Sequence, residues 1–280
     1  MQTSFDSRYA VSPKEARQMD TGTLRSNFLI EKIFEADTIH LTLSHYDRYI
    51  TGGVMPVEES VPLSNPDYLK ASYFLERREL GIINVGATGS VTADGVTYDL
   101  DFKEALYIGK ETKEVSFSSA DASKPAKFYI NSAPAHHKYP NKKVTKAEAE
   151  VVELGTPQTA NHRVINKLLV NSVVPTCQLQ MGMTELKSGS VWNTMPAHTH
   201  DRRMEVYFYF EVPEGQSVCH FMGEPQETRH IWMQNEQSVI SPNWSIHSGA
   251  GTSNYTFIWG MAGENLDYGD MDHCTINDLK

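Results

Sequence analysis

Short runs rich in valine, isoleucine, tyrosine, phenylalanine and threonine recur along the chain, broken by glycine, asparagine, aspartate and proline. That texture predicts β-strands, because alternate side chains of an extended chain face opposite sides. In Glu205-Val-Tyr207-Phe-Tyr209-Phe210 the alternation puts Glu205, Tyr207 and Tyr209 on one face, with Val206, Phe208 and Phe210 on the other. Ala93-Asp94-Gly95-Val96 reads as a hairpin turn between two such runs, and 118–127 as a polar loop. Helical signals are few. Ser12-Pro13-Lys14-Glu15 has a capping residue, a first-turn proline and a glutamate three positions after the cap, predicting a short helix that ends near Asp20-Thr-Gly22.

Two segments resemble each other in order and spacing. The first holds Arg77-Arg78, Asp94-Gly95, Ala105-Leu-Tyr-Ile-Gly109 and Lys127-Phe-Tyr-Ile130. The second holds Arg202-Arg203, Glu214-Gly215, Ser238-Val-Ile-Ser-Pro242 and Tyr255-Thr-Phe-Ile258. The pattern predicts an all-β protein built from two copies of one barrel. Residues 1–135 form the first copy with an N-terminal arm, 136–160 a polar linker with a short helix at Thr145–Glu150, and 161–280 the second copy. Aligning Gly109 with Pro242 puts Glu114 where the second copy has His247, so the first copy reads as metal-free. The pair His136-His137 reads as solvated loop, since neighbours on an extended chain point opposite ways.

With 25 basic and 35 acidic residues among 280, the net charge of −10 excludes a nucleic-acid surface. It also requires any pocket for an anion to be locally positive. No run approaches the roughly 20 apolar residues of a membrane span, and the polar N-terminus carries no secretory signal, so a cytoplasmic location is expected. Cys177, Cys219 and Cys274 are an odd, scattered set and read as free thiols.

His198 and His200 are separated by one residue, so on a strand both imidazoles face one cavity. Glu205 opens the next strand, and His247 closes Pro242-Asn-Trp244-Ser-Ile-His247. Three neutral imidazoles and a carboxylate suit zinc, iron, manganese or nickel. This His-x-His, Glu and later Pro-x-x-x-x-His arrangement resembles the two cupin motifs. Gly215 matches after a longer gap than usual, Trp244 replaces a usual glycine, and Gly251 stands where an asparagine is often found.

A closer resemblance runs through Phe28-Leu-Ile-Glu-Lys-Ile-Phe34, Ser72–Asn84, Trp192-Asn-Thr-Met-Pro196, Arg202–Phe210, Pro225-Gln-Glu-Thr-Arg-His230 and Phe257-Ile-Trp-Gly-Met261. In these stretches the chain is similar to the 5-keto-4-deoxyuronate isomerases. The resemblance implies a bicupin, a zinc-dependent bacterial enzyme of pectin and uronate breakdown, and a homo-oligomer, a hexamer by family habit. It also implies conversion of 5-dehydro-4-deoxy-D-glucuronate to 3-deoxy-D-glycero-2,5-hexodiulosonate.

Such an aldose–ketose exchange needs a cation at the carbonyl, a proton carrier and an anchor for the carboxylate. Tyr207 and Tyr209 are candidates for relaying a proton or binding hydroxyls, and equally for filling the barrel. Arg202, Arg203 and Arg229 are candidates for the anchor. His230 reads as a satisfied core histidine in preference to the alternative, a fifth polar group in the cavity. The residues name no base: Glu205, a tyrosine, a metal-bound hydroxide and a hydride shift all stay open. Two other classes use the same barrel, an iron-dependent cupin dioxygenase and a non-catalytic sugar-binding bicupin.

Overall fold

The computed structural model describes residues 2–264 and 266–280. It is almost wholly β, and among the described residues no helix is long and apolar enough to cross a membrane. The chain divides into two compact units. Of the described residues, the first comprises 2–7, 32–150 and 168–181; the second comprises 8–31, 151–167, 182–264 and 266–280.

In the first unit a seven-stranded sheet runs in the order Gln2–Arg8, Thr38–Ser44, Ile50–Val54, Phe128–Pro134, Arg78–Asn84, Ala105–Ile108, Lys142–Val144. A four-stranded sheet follows the order Val61–Pro62, Val115–Ser119, Gly89–Ala93, Val96–Leu100. Its core gathers the inward residues of both sheets, among them Ile39, Leu41, Ile82, Val91, Phe117 and Phe128. The strand Gly89–Ala93 alternates buried and half-buried positions, as a strand with one face on a core must. The turn that follows it holds Asp94 and Gly95 at φ +45 and +82, as expected of a two-residue hairpin.

The second unit repeats this plan strand for strand. Its large sheet is ordered Glu150–Leu154, Arg163–Leu169, Gln180–Leu186, Thr256–Gly263, Arg203–Phe210, Gln237–Ser241, Leu29–Ile30. Its small sheet is ordered Trp192–Asn193, Ser248–Gly251, Val218–Glu224, Glu227–Met233. Arg203–Phe210 is buried along its whole length, being flanked on both edges by Thr256–Gly263 and Gln237–Ser241.

The internal repeat is therefore real, with three corrections. Asp94-Gly95 matches the turn between Val218–Glu224 and Glu227–Met233, whereas Glu214-Gly215 lies before that hairpin. The expected division into 1–135, linker 136–160 and 161–280 is crossed by the chain. Residues 8–31 belong to the second unit, 168–181 return to the first, and the supposed linker supplies the edge strands Lys142–Val144 and Glu150–Leu154. Finally, the helix Pro13–Ala16 has its capping box, but Asp20 caps a second helix, Thr21–Phe28, rather than ending the first. Glu114 and His247 do occupy matching places, each just before the strand that pairs in the small sheet.

Candidate metal centre

Four side chains meet inside the second unit. His198 opens the short strand His198–Thr199, which pairs with Asp272–His273. The His200 backbone N–H donates to the Asn243 carbonyl. Glu205 is fixed by its register, opposite Ser241 on one side and Met261 on the other. His247 stands immediately before Ser248–Gly251. All four are buried, Glu205 at 3 % and His247 at 1 % exposure.

Their donor atoms converge. His198 Nε2 lies 3.1 Å from His200 Nε2 and 2.9 Å from His247 Nε2. Glu205 Oε1 lies 2.8 Å from His200 Nε2 and 3.6 Å from His247 Nε2. The four ligand atoms all fall within 4.8 Å of one another. Among the described residues this is the one group of histidine, cysteine and acidic side chains so arranged.

The outer ring nitrogens are held as well. His200 Nδ1 lies against the Asp270 carbonyl and 3.2 Å from Arg203 Nη2, and His247 Nδ1 lies 3.3 Å from the Ser245 carbonyl. His200 Nε2 faces Glu205 Oε1 at 2.8 Å, a separation that either a proton on Nε2 or a shared cation bridges. Burial, with the neighbouring His200, His273 and Arg203, pushes the His198 pKa down to about 3, and burial also lowers His247 well below the usual value. Both are thus neutral and able to ligate. Burial works against the Glu205 carboxylate, but His247, the hydrogen bond from His200 and Arg203 outweigh it and hold its pKa below the usual range. Bonds of about 2.0–2.2 Å to one ion would give ligand spacings like those observed.

His198 and Glu205 line a cavity of about 780 Å³ within the same unit. Tyr207, Arg163, Trp259 and His273 also line it. The Tyr207 hydroxyl lies 2.9 Å from Thr194 Oγ1, and burial and then Glu205 push its pKa well above the usual 10. Arg163 is anchored through one nitrogen to the Asn161 carbonyl at 2.8 Å, and burial lowers its pKa. Trp259 Nε1 is buried without a partner.

The remaining candidates lie elsewhere. Tyr209 shares the inward strand face but reaches His220 Nδ1 at 2.8 Å and does not line the cavity. None of the three expected anchor arginines lines it either. Arg202 is exposed and pairs with Glu264. Arg203 is fully buried and donates to the Tyr268 and Asp270 carbonyls, bracing the segment that also receives His200. Arg229 donates to the Ala16 and Met19 carbonyls. His230 is exposed, and the core histidine of this hairpin is His220. His136 and His137 are exposed, as expected. The three cysteines are free. Arg163 escaped the sequence reading because it sits on a distant strand. Its only trace was the alternation that places it beside Ile165, another cavity residue.

Two sheets closed over one core, with three imidazoles and a carboxylate gathered in the interior, define a cupin whose second barrel can hold a metal ion. The chain belongs to the KduI/IolB family, whose model matches residues 10–276. It is 65 % identical to a 4-deoxy-L-threo-5-hexosulose-uronate ketol-isomerase of Formosa agariphila and 62 % identical to that of Bacteroides fragilis, over 100 % of each chain in both cases. Among solved structures, an IolB-like protein of Salmonella typhimurium matches with TM-score 0.67 at 17 % identity, covering 81 % of this chain and 87 % of its own. An oxalate decarboxylase of Lactobacillus farciminis matches with TM-score 0.56 at 10 % identity, covering 82 % and 79 %.

Proposed function

We propose that the protein is a metal-dependent ketol-isomerase of uronate catabolism, converting 5-dehydro-4-deoxy-D-glucuronate to 3-deoxy-D-glycero-2,5-hexodiulosonate, with zinc as its resident ion. The observation that carries this reading is one cavity lined both by His198 and Glu205 of the buried donor set and by a single arginine. The names of full-length relatives supply the reaction.

His198, His200, Glu205 and His247 would hold the ion, which when bound supplies a Lewis acid for the substrate carbonyl and its neighbouring oxygen. Arg163 presents the free part of its guanidinium to the substrate carboxylate, countering the chain's overall negative charge. Tyr207, kept protonated by burial, donates to the aldehyde oxygen as it gains charge and is reprotonated by the hydroxyl on the adjacent carbon as that hydroxyl becomes the ketone. Glu205 is the only carboxylate among the cavity-lining residues, and so the acceptor for the proton that passes between adjacent carbons. The apolar wall of Phe257, Trp259 and Met261 limits water around these groups. The resemblance also supports a homo-oligomer, a hexamer, in the cytoplasm.

The test is incubation with the unsaturated-uronate product of a pectate-lyase digest, with and without oxygen, beside element analysis of the purified protein. Ketose formation without oxygen and one zinc per chain are expected. Turnover that requires oxygen would make the protein a dioxygenase, and no turnover at all would remove the isomerase reading. In deuterated water, solvent deuterium should enter the new CH2OH carbon; its absence would remove the role given to Glu205.

A further inference from the structure

The first unit, which has no metal-ligand group among its described residues, has a cavity of its own. Its volume is about 450 Å³, within the range of small-molecule sites. Arg48, Arg77, Arg78, His45 and Tyr68 supply its polar lining, and no aspartate or glutamate lines it. In a chain with net charge −10, three arginines without a facing carboxylate are an unusual concentration of positive charge.

The central member is Arg78, buried at 6 % exposure. Its Nε donates to Ser132 Oγ at 3.0 Å, and its Nη2 to the Arg48 and Ser132 carbonyls at 2.8 Å. All these partners are neutral, and among the described residues Nη1 has no hydrogen-bond partner. Its sequence neighbour Glu79 attracts it but makes no ion pair with it. Alternation sends that carboxylate to the opposite face of the strand, where it accepts from the Tyr107 hydroxyl and the backbone N–H groups of Cys177, Gln178 and Leu179. Beside Arg78 the Tyr68 hydroxyl is buried without a partner. Burial lowers the Arg78 pKa to about 10 and raises that of Tyr68 to about 12, so at neutral pH the first is a cation and the second a donor. Arg77 holds the far wall through the Leu69 and Lys70 carbonyls, and Arg48 sits in the turn between Thr38–Ser44 and Ile50–Val54. Leu43, Phe74 and Pro134 make the apolar side.

A buried hydroxyl with no acceptor is costly to keep unless something accepts from it, and Arg78 beside it is a largely desolvated cation whose hydrogen bonds all go to neutral groups. We propose that this cavity binds a small metabolite through an oxyanion, carboxylate or phosphate, held by Arg78, Arg48 and Tyr68, with its carbon skeleton against Leu43 and Phe74. This site is separate from the metal centre and does not depend on the isomerase reading.

The test is calorimetric titration of the full-length protein with inorganic phosphate and, separately, with D-glucuronate. The variants are Arg48→Ala, Tyr68→Phe and Arg163→Ala; Arg78 itself is left alone because its bonds also hold Ser132 and the turn. Saturable binding of at least one probe is expected, and the probe that binds identifies the oxyanion as phosphate or carboxylate. Arg48→Ala should weaken that binding by about tenfold and Tyr68→Phe by several-fold, while Arg163→Ala leaves it unchanged. Tyr68→Phe should also leave the ligand-free melting temperature equal or higher, since it removes a hydroxyl with no partner. Failure of both probes to bind, or binding lost only in Arg163→Ala, overturns the proposal.

Discussion

Tyr207 and Tyr209 show how much two residues of register matter. Both point inward from one strand, yet only Tyr207 reaches the cavity, and Tyr209 spends its hydroxyl on His220. Tyr207→Phe is therefore expected to lower kcat about ten- to ten-thousand-fold with the fold intact, as read by steady-state kinetics beside circular dichroism. An unchanged kcat would return Tyr207 to packing. Arg163→Lys keeps a charge but loses the planar fork, so KM for the uronate should rise about tenfold with kcat largely retained. His220 tells a different story. Burial pushes its pKa down to about 3 from an ordinary 6.5. Below about pH 6.5 the unfolded chain takes up a proton that the folded chain refuses. Stability from this group is thus fully present above that pH and falls by up to about 1.4 kcal/mol per unit between pH 6.5 and 3. Denaturant midpoints measured against pH should fall more steeply for the wild type than for His220→Gln; parallel curves would remove His220 from the acid response.

Individual strands were readable from the sequence where one face is buried and the other polar, and His198, His200 and Glu205 were readable because they lie at short spacing beside such a strand. His247, far along the chain, was readable only through the resemblance of its segment to a known motif, and partners across long gaps without such a motif were not. Alternation assigns Arg163 to a face but cannot say which other strand that face meets, and Arg163 lies on Arg163–Leu169, well before the ligands. Arg229 was a candidate by residue type alone, and the groups its guanidinium meets are the Ala16 and Met19 carbonyls at and beyond the end of Pro13–Ala16. A guanidinium there gives the Ala16 carbonyl, which also accepts from the Met19 N–H, a second donor and supplies one to the Met19 carbonyl, tying the helical turn to the hairpin. Arg229→Ala is expected to cost about 1–3 kcal/mol of stability with KM unchanged, measured by denaturant titration and kinetics on the folded fraction. A raised KM with unchanged stability would restore its role at the substrate.

At the scale of the molecule, the first unit builds the same pair of sheets with no group of metal ligands among its described residues. The architecture therefore does not need an ion to fold, unlike small domains stapled by structural zinc. Chelation, or His247→Ala, should abolish turnover while leaving a cooperative unfolding transition at a lower melting temperature, because an ion bound only by the folded state stabilises it by mass action. An apo protein without β circular dichroism would make the ion structural. The repeat was legible in the sequence, but its borders were not, since edge strands carry no local mark of the sheet they join.

Those borders bear on biosynthesis. Leu29 and Ile30 pair with Val239 and Ser238, and residues 8–31 belong to the same unit as 182–280. The leading segment thus leaves the ribosome long before the strands that receive it exist. Its apolar Leu24, Phe28 and Leu29 stay uncovered for most of translation. A prematurely terminated chain has nowhere to put them and is a natural target for chaperones and proteases.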